Sequence, residues 1–469
     1  MTVEEVVTPN ENLRELDRRF SFHPFTGLAE HEQHGPATMM VRGQGVWLED
    51  EAGKRYLDGM AGLWCVNVGY GRREIADAMQ QQAMKLSYCH AFSSMSSDMP
   101  ARLAERLVRS APVPMSKVFF GNSGSDANDT QVKLAWYYNN VLGRPQKKKI
   151  LSRRRAYHGV TIMAGGMTGL PGVHAGFDLP LPFVKHTMAP HRLWEGHGLS
   201  DTEFVAKLIA DLERVITEEG ADTIAAMILE PVMGAGGVIV PPPGYHKAVR
   251  EVLEANDILL IADEVICGFG RLGHMYGCEA MGLVPDMVTI AKGVTSAYFP
   301  LSGCLVSERV WRTIVEGGQT FGVFGHGYTY SAHPTGAAAA LANLDLIERD
   351  GLVAAAAEQG QYLHERLQAA FADHAYVGEI RGLGLIGAVE LVARKDPPQP
   401  FDAGLGVAGR VAKRALNNGV ITRALPNSDA LAFSPPLIIN RDEIDVLVTG
   451  IRDALDQVVG ELKKEGHLG

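Results

Sequence analysis

The chain has 469 residues, 46% hydrophobic and 21% charged, a composition that suits a large globular enzyme and excludes a disordered or fibrous chain. Its net charge of −10 excludes a general attraction to nucleic acid or to anionic membrane. Five widely spaced cysteines, with no pair at zinc-ligand spacing, predict reduced thiols in the cytoplasm.

The chain starts Met1-Thr2-Val3-Glu4-Glu5, acidic and without the apolar run of a secretory signal, and no stretch reaches the ~18 apolar residues of a membrane span. Residues 1–75 mix Pro, Gly and short alternating runs. Within them Gly45 to Asp50 and Arg55 to Asp58 predict two strands of a hairpin around Glu51-Ala52-Gly53-Lys54. From 76 to 335, apolar runs of strand length alternate with amphipathic helical stretches, the pattern of a mostly parallel sheet between helices. Val118 to Phe120, Ile224 to Leu229, Ile258 to Ala262 and, but for Thr289, Met287 to Ala291 are the clearest apolar runs, as suits strands covered on both faces. The cluster Lys147-Lys148-Lys149 and Arg153-Arg154-Arg155 reads as a solvated edge around a short apolar step. After the helix containing Ala337 to Ala340, residues 336–469 predict a smaller α/β unit. Its strands are Gly387 to Leu391 and Val420 to Thr422, its long helix runs from Asp442 to Lys463, and Lys395 to Ala403 is a surface loop. The small domain is built from both chain ends or mainly from the C-terminal one.

Ligands of open α/β sheets bind beyond the carboxyl ends of the strands, and four such ends carry suggestive residues. The first runs into Gly121-Asn122-Ser123-Gly124-Ser125 and a helix starting near Asp126, where small residues with free N–H and hydroxyl groups suit a phosphate. Glu230 and Asp263 each follow a buried strand. Lys292 follows Val288 to Ala291, an unusual place for lysine unless it is paired or reactive. A phosphate cradle, an anion and an amine that loses its proton when desolvated fit pyridoxal 5′-phosphate. That cofactor needs a phosphate anchor, a lysine, and a carboxylate on its ring nitrogen. Tyr157, in Ala156-Tyr157-His158-Gly159, is the candidate for an aromatic face on the ring.

Over nearly its whole length the chain resembles the class III aminotransferases of the fold type I pyridoxal-phosphate family. The matching segments are Gly121 to Asn128, Tyr157-His158-Gly159, Leu229-Glu230-Pro231, Ala262-Asp263-Glu264-Val265, Gly268 to Arg271, Ala291-Lys292-Gly293 and Tyr328 to Pro334, in the family's order. The resemblance implies an α/β fold: a large domain with a seven-stranded, mostly parallel sheet, plus a small α/β domain. It implies that Lys292 binds the cofactor covalently and moves a proton between Cα and C4′. Asp263 would hold the ring nitrogen, with Val265 against the ring opposite Tyr157. Gly124 and Ser125 would bind the phosphate, and Ser123, His158 and Glu230 would complete the cofactor's surroundings. Thr329 would reach the phosphate of a neighbouring subunit, which makes the protein a homodimer with shared active sites, or a tetramer of such dimers.

Other motifs fail on context. Gly382-Leu383-Gly384-Leu385-Ile386-Gly387 matches GxGxxG but leads into a strand where a dinucleotide fold needs a helix. Gly121 to Ser125 ends on serine where a hydrolase elbow needs glycine, and His31-Glu32-Gln33-His34 lacks the zinc-protease spacing, so no metal is expected.

Two positions narrow the substrate. Arg423 matches the family's carboxylate-binding arginine. Ala235 stands where ornithine- and 4-aminobutyrate-type members carry a glutamate, which argues against those activities and against 2-oxoglutarate as preferred acceptor. The pattern is similar to the ω-amino acid:pyruvate group, in which Trp64, Phe92 and Tyr328 would be pocket walls. The expected reaction moves an amino group from an ω-amino acid or primary amine to pyruvate by a ping-pong route through pyridoxamine phosphate. The alternatives are an aminomutase or decarboxylase on the same fold, and a non-catalytic cofactor-binding protein.

Overall fold

The structure is a computed structural model that describes residues 12–426 and 428–468; the acidic start at 1–5 lies outside them. Fifteen strands occur in the described residues. In chain order they are β1 (Met40–Gln44), β2 (Trp47–Asp50), β3 (Arg55–Asp58), β4 (Met115–Gly121), β5 (Lys149–Arg153), β6 (Val184–Thr187), β7 (Ile224–Leu229) and β8 (Leu259–Asp263). Then follow β9 (Met287–Ile290), β10 (Ser302–Ser307), β11 (Val377–Leu383), β12 (Ile386–Leu391), β13 (Val420–Ile421), β14 (Arg423–Ala424) and β15 (Ala430–Phe433).

The central sheet has seven strands in the order β4-β10-β9-β8-β7-β5-β6. Only β10 runs against its neighbours, so the other six end on one edge. Alternate residues of β7 and β8 feed two cores. Ala226, Ile228 and Ile261 meet Ala127, Leu134 and Ala135 of helix Gly124–Val141. Met227, Leu229 and Leu260 face the opposite core, with Phe204 and Leu208 of helix Asp201–Glu219 and Val249 and Leu253 of helix Tyr245–Ala255. Helices on both faces explain why these strands are apolar throughout.

The two remaining sheets are small. In one, the predicted hairpin β2–β3 is continued by β1, and β13 pairs in parallel with β3, Val420 opposite Leu57. Both chain ends therefore share a sheet. The other is antiparallel, in the order β11-β12-β15-β14. The GxGxxG segment forms the β11–β12 hairpin, with Gly384 at φ 56° in its turn. The division expected at 335/336 falls inside helix Pro334–Arg349, which packs on helices Arg73–Lys85 and Asp98–Ser110. The division expected at 75/76 falls inside helix Arg73–Lys85.

The basic cluster is not a solvated edge. Strand β5 lies between β7 and β6, so residues at its ends are covered. Lys147 is buried and donates to the Asp257 carbonyl at 2.6 Å, just past helix Tyr245–Ala255, while Lys149 donates to the Glu219 carbonyl at 2.7 Å, at the end of helix Asp201–Glu219. The cations thus satisfy carbonyls at helix C-termini, where the helix dipole favours them. Arg153 is fully buried and donates to the Glu230 carbonyl at 2.7 Å.

Candidate active site

The carboxyl edge of the central sheet brings Ser125, Tyr157, Glu230, Asp263 and Lys292 around one cavity of about 110 Å³, also lined by Gly124, Asn128, His158 and Val265. Asp263 ends β8 with its side chain buried. Its Oδ2 accepts hydrogen bonds from His158 Nδ1 and Asn128 Nδ2, both at 2.8 Å, and its Oδ1 accepts from the Val265 N–H at 3.1 Å. Asn128 also donates to the His158 carbonyl at 2.7 Å, which ties the histidine loop to the helix. Three donors fix a buried carboxylate whose orientation would otherwise drift.

Lys292 opens a single helical turn after β9 and sits at φ 48°, a conformation that costs a non-glycine residue free energy and recurs at functional sites. The turn is wedged in place. Asn343 Nδ2 donates to the carbonyls of Gly293 and Val294, each at 2.9 Å, and a Cβ on Gly293 would lie 2.6 Å from Asn67 Nδ2. Burial pulls the Lys292 amine below its ordinary pKa, against the opposing pull of the nearby acids Asp263 and Glu230. A neutral amine is the nucleophilic form.

Glu230 holds the aromatic loop. Its Oε1 accepts from the Tyr157 N–H at 3.1 Å and its Oε2 from the Gly234 N–H at 2.7 Å. Ser125 Oγ accepts from the Val160 N–H at 3.1 Å, which leaves its O–H to donate elsewhere. Gly159 permits this approach, because a Cβ there would stand 2.3 Å from Ser125 Oγ.

The N-terminus of helix Gly124–Val141 fits a phosphate. Ser123 is its N-cap, accepting from the Asp126 N–H at 3.2 Å, and it does not line the cavity. Among the described residues no protein acceptor meets the N–H groups of Gly124 and Ser125. Two free amides, a hydroxyl and a helix dipole form an anion site. The donor set therefore suits pyridoxal phosphate: the helix start for the phosphate, Asp263 for the ring nitrogen, Lys292 for the carbonyl, and Tyr157 with Val265 lining the same space.

A second cavity of about 200 Å³ shares Tyr157, Ile266 and Lys292 with the first and is further lined by Phe25, Leu63, Trp64, Ala235 and Arg423. Lys292 thus borders both spaces. Trp64 is buried at φ 57°, and the Arg423 guanidinium carbon lies 5.1 Å from its ring centre. Among the described residues no carboxylate pairs with Arg423, and burial lowers its pKa.

Phe92, Tyr328 and Thr329 line neither cavity of the single chain. Tyr328 donates its O–H to the Asp126 carbonyl at 2.9 Å, the Thr329 carbonyl accepts from Tyr88 at 2.6 Å, and Phe92 is exposed against Gly327. Sequence reasoning assigned no role to Asn128, Asn343 or Phe25. Asn128 stands inside a matched segment; nothing local marks the other two.

The Aminotransferase class-III family model matches residues 28–455. The chain belongs to the class III aminotransferases. It is 47% identical to a diaminobutyrate–2-oxoglutarate transaminase of Halomonas elongata, over 98% of this chain and 99% of that one. It is 42% identical to a chloroplastic gamma aminobutyrate transaminase of Solanum lycopersicum, over 94% of this chain and 85% of that one. Among solved structures, the omega transaminase of Pseudomonas jessenii in complex with PMP matches with a TM-score of 0.94 and 46% identity, covering 98% of this chain and all of that one. This aminotransferase uses pyridoxal phosphate, as its family does, and takes small amines and keto acids. Among the described residues no helix is long and apolar enough to cross a membrane.

Proposed function

We propose that this aminotransferase moves an amino group from an ω-amino acid or primary amine to pyruvate in two half-reactions. The observation that carries the reading is Arg423 in the wall of the second cavity with Ala235 in the same wall and, among the described residues, no carboxylate paired to it. An unpaired guanidinium beside apolar walls recognises one small carboxylate bidentately and leaves room for an uncharged amine tail. Bound pyridoxal phosphate supplies the electron sink for the charge left when a proton leaves Cα. With that group bound, Lys292, bordering both cavities, would move the proton between Cα and C4′, and Asp263, held by His158 and Asn128, would keep a proton on the ring nitrogen.

A second acceptor, 2-oxoglutarate, is favoured by the name of the Halomonas elongata relative. An acceptor panel with one primary amine separates the two. Pyruvate should exceed 2-oxoglutarate in kcat/KM, and the reverse order would overturn the pyruvate reading. Phe92, Tyr328 and Thr329 line neither cavity of one chain, and Phe92 and Thr329 are exposed, which supports a homodimer in which these residues complete the partner's site. Five free thiols suit the cytoplasm.

A further inference from the structure

Three metal-ligating side chains meet on the N-terminal hairpin, away from the sheet edge. Asp17 lies on helix Leu13–Phe20, His31 on helix Leu28–His34, and His23 on the connection between them. Asp17 Oδ2 is 2.9 Å from His23 Nε2, and Asp17 Oδ1 is 3.0 Å from His31 Nε2. One ligand atom from each residue falls within 4.8 Å of the other two. The imidazole centres stand 4.3 Å apart, inclined at 35°. The His31 side chain is 8% exposed and that of His23 33%, so the trio is closed at its base and open to solvent at its rim.

Among the described residues the hairpin has little packing of its own, and its helices are otherwise joined by Arg18 Nη1 donating to the Glu32 carbonyl at 2.8 Å. Helix Leu13–Phe20 buries no residue, and helix Leu28–His34 buries only His31. Short elements without a core of their own are where a bound metal most effectively replaces packing. Two imidazole nitrogens and one carboxylate suit zinc-type ions; calcium and magnesium want six or more oxygens. We propose that Asp17, His23 and His31 bind a divalent transition metal ion of the zinc type, which clips the two N-terminal helices together. Without the ion, each Nε2–H donates to the Asp17 carboxylate. With it, both rings take the Nδ1–H tautomer and present Nε2 lone pairs, and solvent water fills the remaining positions.

The clip reaches the active site through Phe25. That residue lies two positions beyond His23, holds φ 50°, and lines the second cavity beside Leu63 and Trp64. The ion therefore sets where this mouth residue stands, a consequence that rests on the amine-substrate reading of the cavity.

The test uses holoenzyme stripped with a chelator, dialysed, and titrated with zinc chloride, counting retained zinc by elemental analysis. One zinc per chain is expected in the wild type. His23→Gln, at the more exposed ring, and Asp17→Asn should each lose that equivalent, with the cofactor band and thermal unfolding certifying the fold. No retained zinc in the wild type, or an unchanged count in both variants, overturns the site. In the wild type, zinc should lower KM for an arylalkylamine severalfold and leave a short amine unchanged, and Phe25→Ala should abolish the difference. Zinc retention without any KM change would overturn the Phe25 link alone. Absence of transamination with every amine would overturn the proposed function and leave the zinc count readable.

Discussion

The guanidinium of Arg423 lies 5.1 Å from the centre of the Trp64 ring, a cation resting on an aromatic face with no acid paired to it among the described residues. Such a contact is worth about 0.5–2 kcal/mol. A bidentate carboxylate bond exceeds this, while a buried guanidinium with no partner is costly. On the proposed reading the ring would be a resting place from which Arg423 leaves to bind a keto acid. Arg423→Ala should raise KM for pyruvate and alanine about tenfold to a hundredfold, from a lost charged bond worth about 1.5–3 kcal/mol. Amines without a carboxylate should be little affected. Equal losses for both, measured in separate half-reactions, would make Arg423 structural.

Lys292 should be the residue that borohydride links to the cofactor. Peptide mapping of the reduced protein checks this, and an adduct on another lysine would overturn the assignment. Because burial lowers the pKa of this amine, cofactor-free enzyme should recapture pyridoxal phosphate at a pH well below the ~10.4 of a free lysine. A recapture rate that rises only near that value would contradict a desolvated Lys292. Lys292→Ala should keep some cofactor bound through the helix start and Asp263 while losing proton transfer between Cα and C4′.

Asp263→Asn should cripple turnover more than cofactor binding, since an amide keeps the shape but cannot hold a proton on the ring nitrogen. Asn128→Ala removes one of the two side-chain donors on Asp263 and leaves His158 to orient it. It should lower kcat by less than Asp263→Asn does and shift the cofactor's absorption band. A near-normal rate in cofactor-loaded Asp263→Asn would refute the role.

The parts legible in sequence are those whose cause is local. Strands β7 and β8 announce themselves because burial on both faces leaves no polar alternation, and Glu230, Asp263 and Lys292 stand out as charged residues directly after such strands. The supporting asparagines carry no local mark, because their partners lie far along the chain: Asn128 meets Asp263 across 135 positions and Asn67 meets the Phe269 carbonyl across 202. The burial of the basic cluster is hidden for the same reason. Charge is visible locally, but the interior place of β5 is set by the strands on either side.

Arg381 should prove a positioning residue for the cavity wall. Largely buried on β11, it donates from Nε to the Gly237 carbonyl at 2.8 Å, two residues from Ala235, and pairs with Glu379 and Glu390. Arg381, with help from the nearby His191 ring and the hydrogen bond donated by Trp194, holds the Glu390 carboxyl well below its usual range against the opposing effect of burial. A depressed carboxylate contributes stability above its unfolded pKa of about 4.3 and loses it as pH falls below that. Arg381→Met leaves Glu390 buried and unpaired, at a cost of about 3–5 kcal/mol. The melting-temperature deficit should be largest near pH 7 and shrink below pH ~4. A deficit independent of pH would show that lost packing, not the ion pair, is responsible. KM for amines should also rise, as the Ala235 wall loosens.

The shared site is tested by mixing subunits. In one chain Thr329 lines neither cavity, although Tyr328 beside it bonds to the Asp126 carbonyl in the first turn of helix Gly124–Val141. Thr329→Ala should weaken cofactor retention by removing one hydrogen bond without altering proton transfer, whereas Lys292→Ala abolishes the chemistry. At limiting cofactor both homodimers should be weak or inactive. If Lys292 and Thr329 of one site come from different chains, a hybrid carries one site with both defects and one with neither. Subunit exchange should then restore activity toward half that of the wild type per dimer. If both residues served a site within one chain, each hybrid site would keep one defect and exchange would restore nothing. Absence of recovery, with hybrids demonstrated by mass, would therefore place Thr329 outside the partner's site and remove the main reason for expecting an obligate dimer.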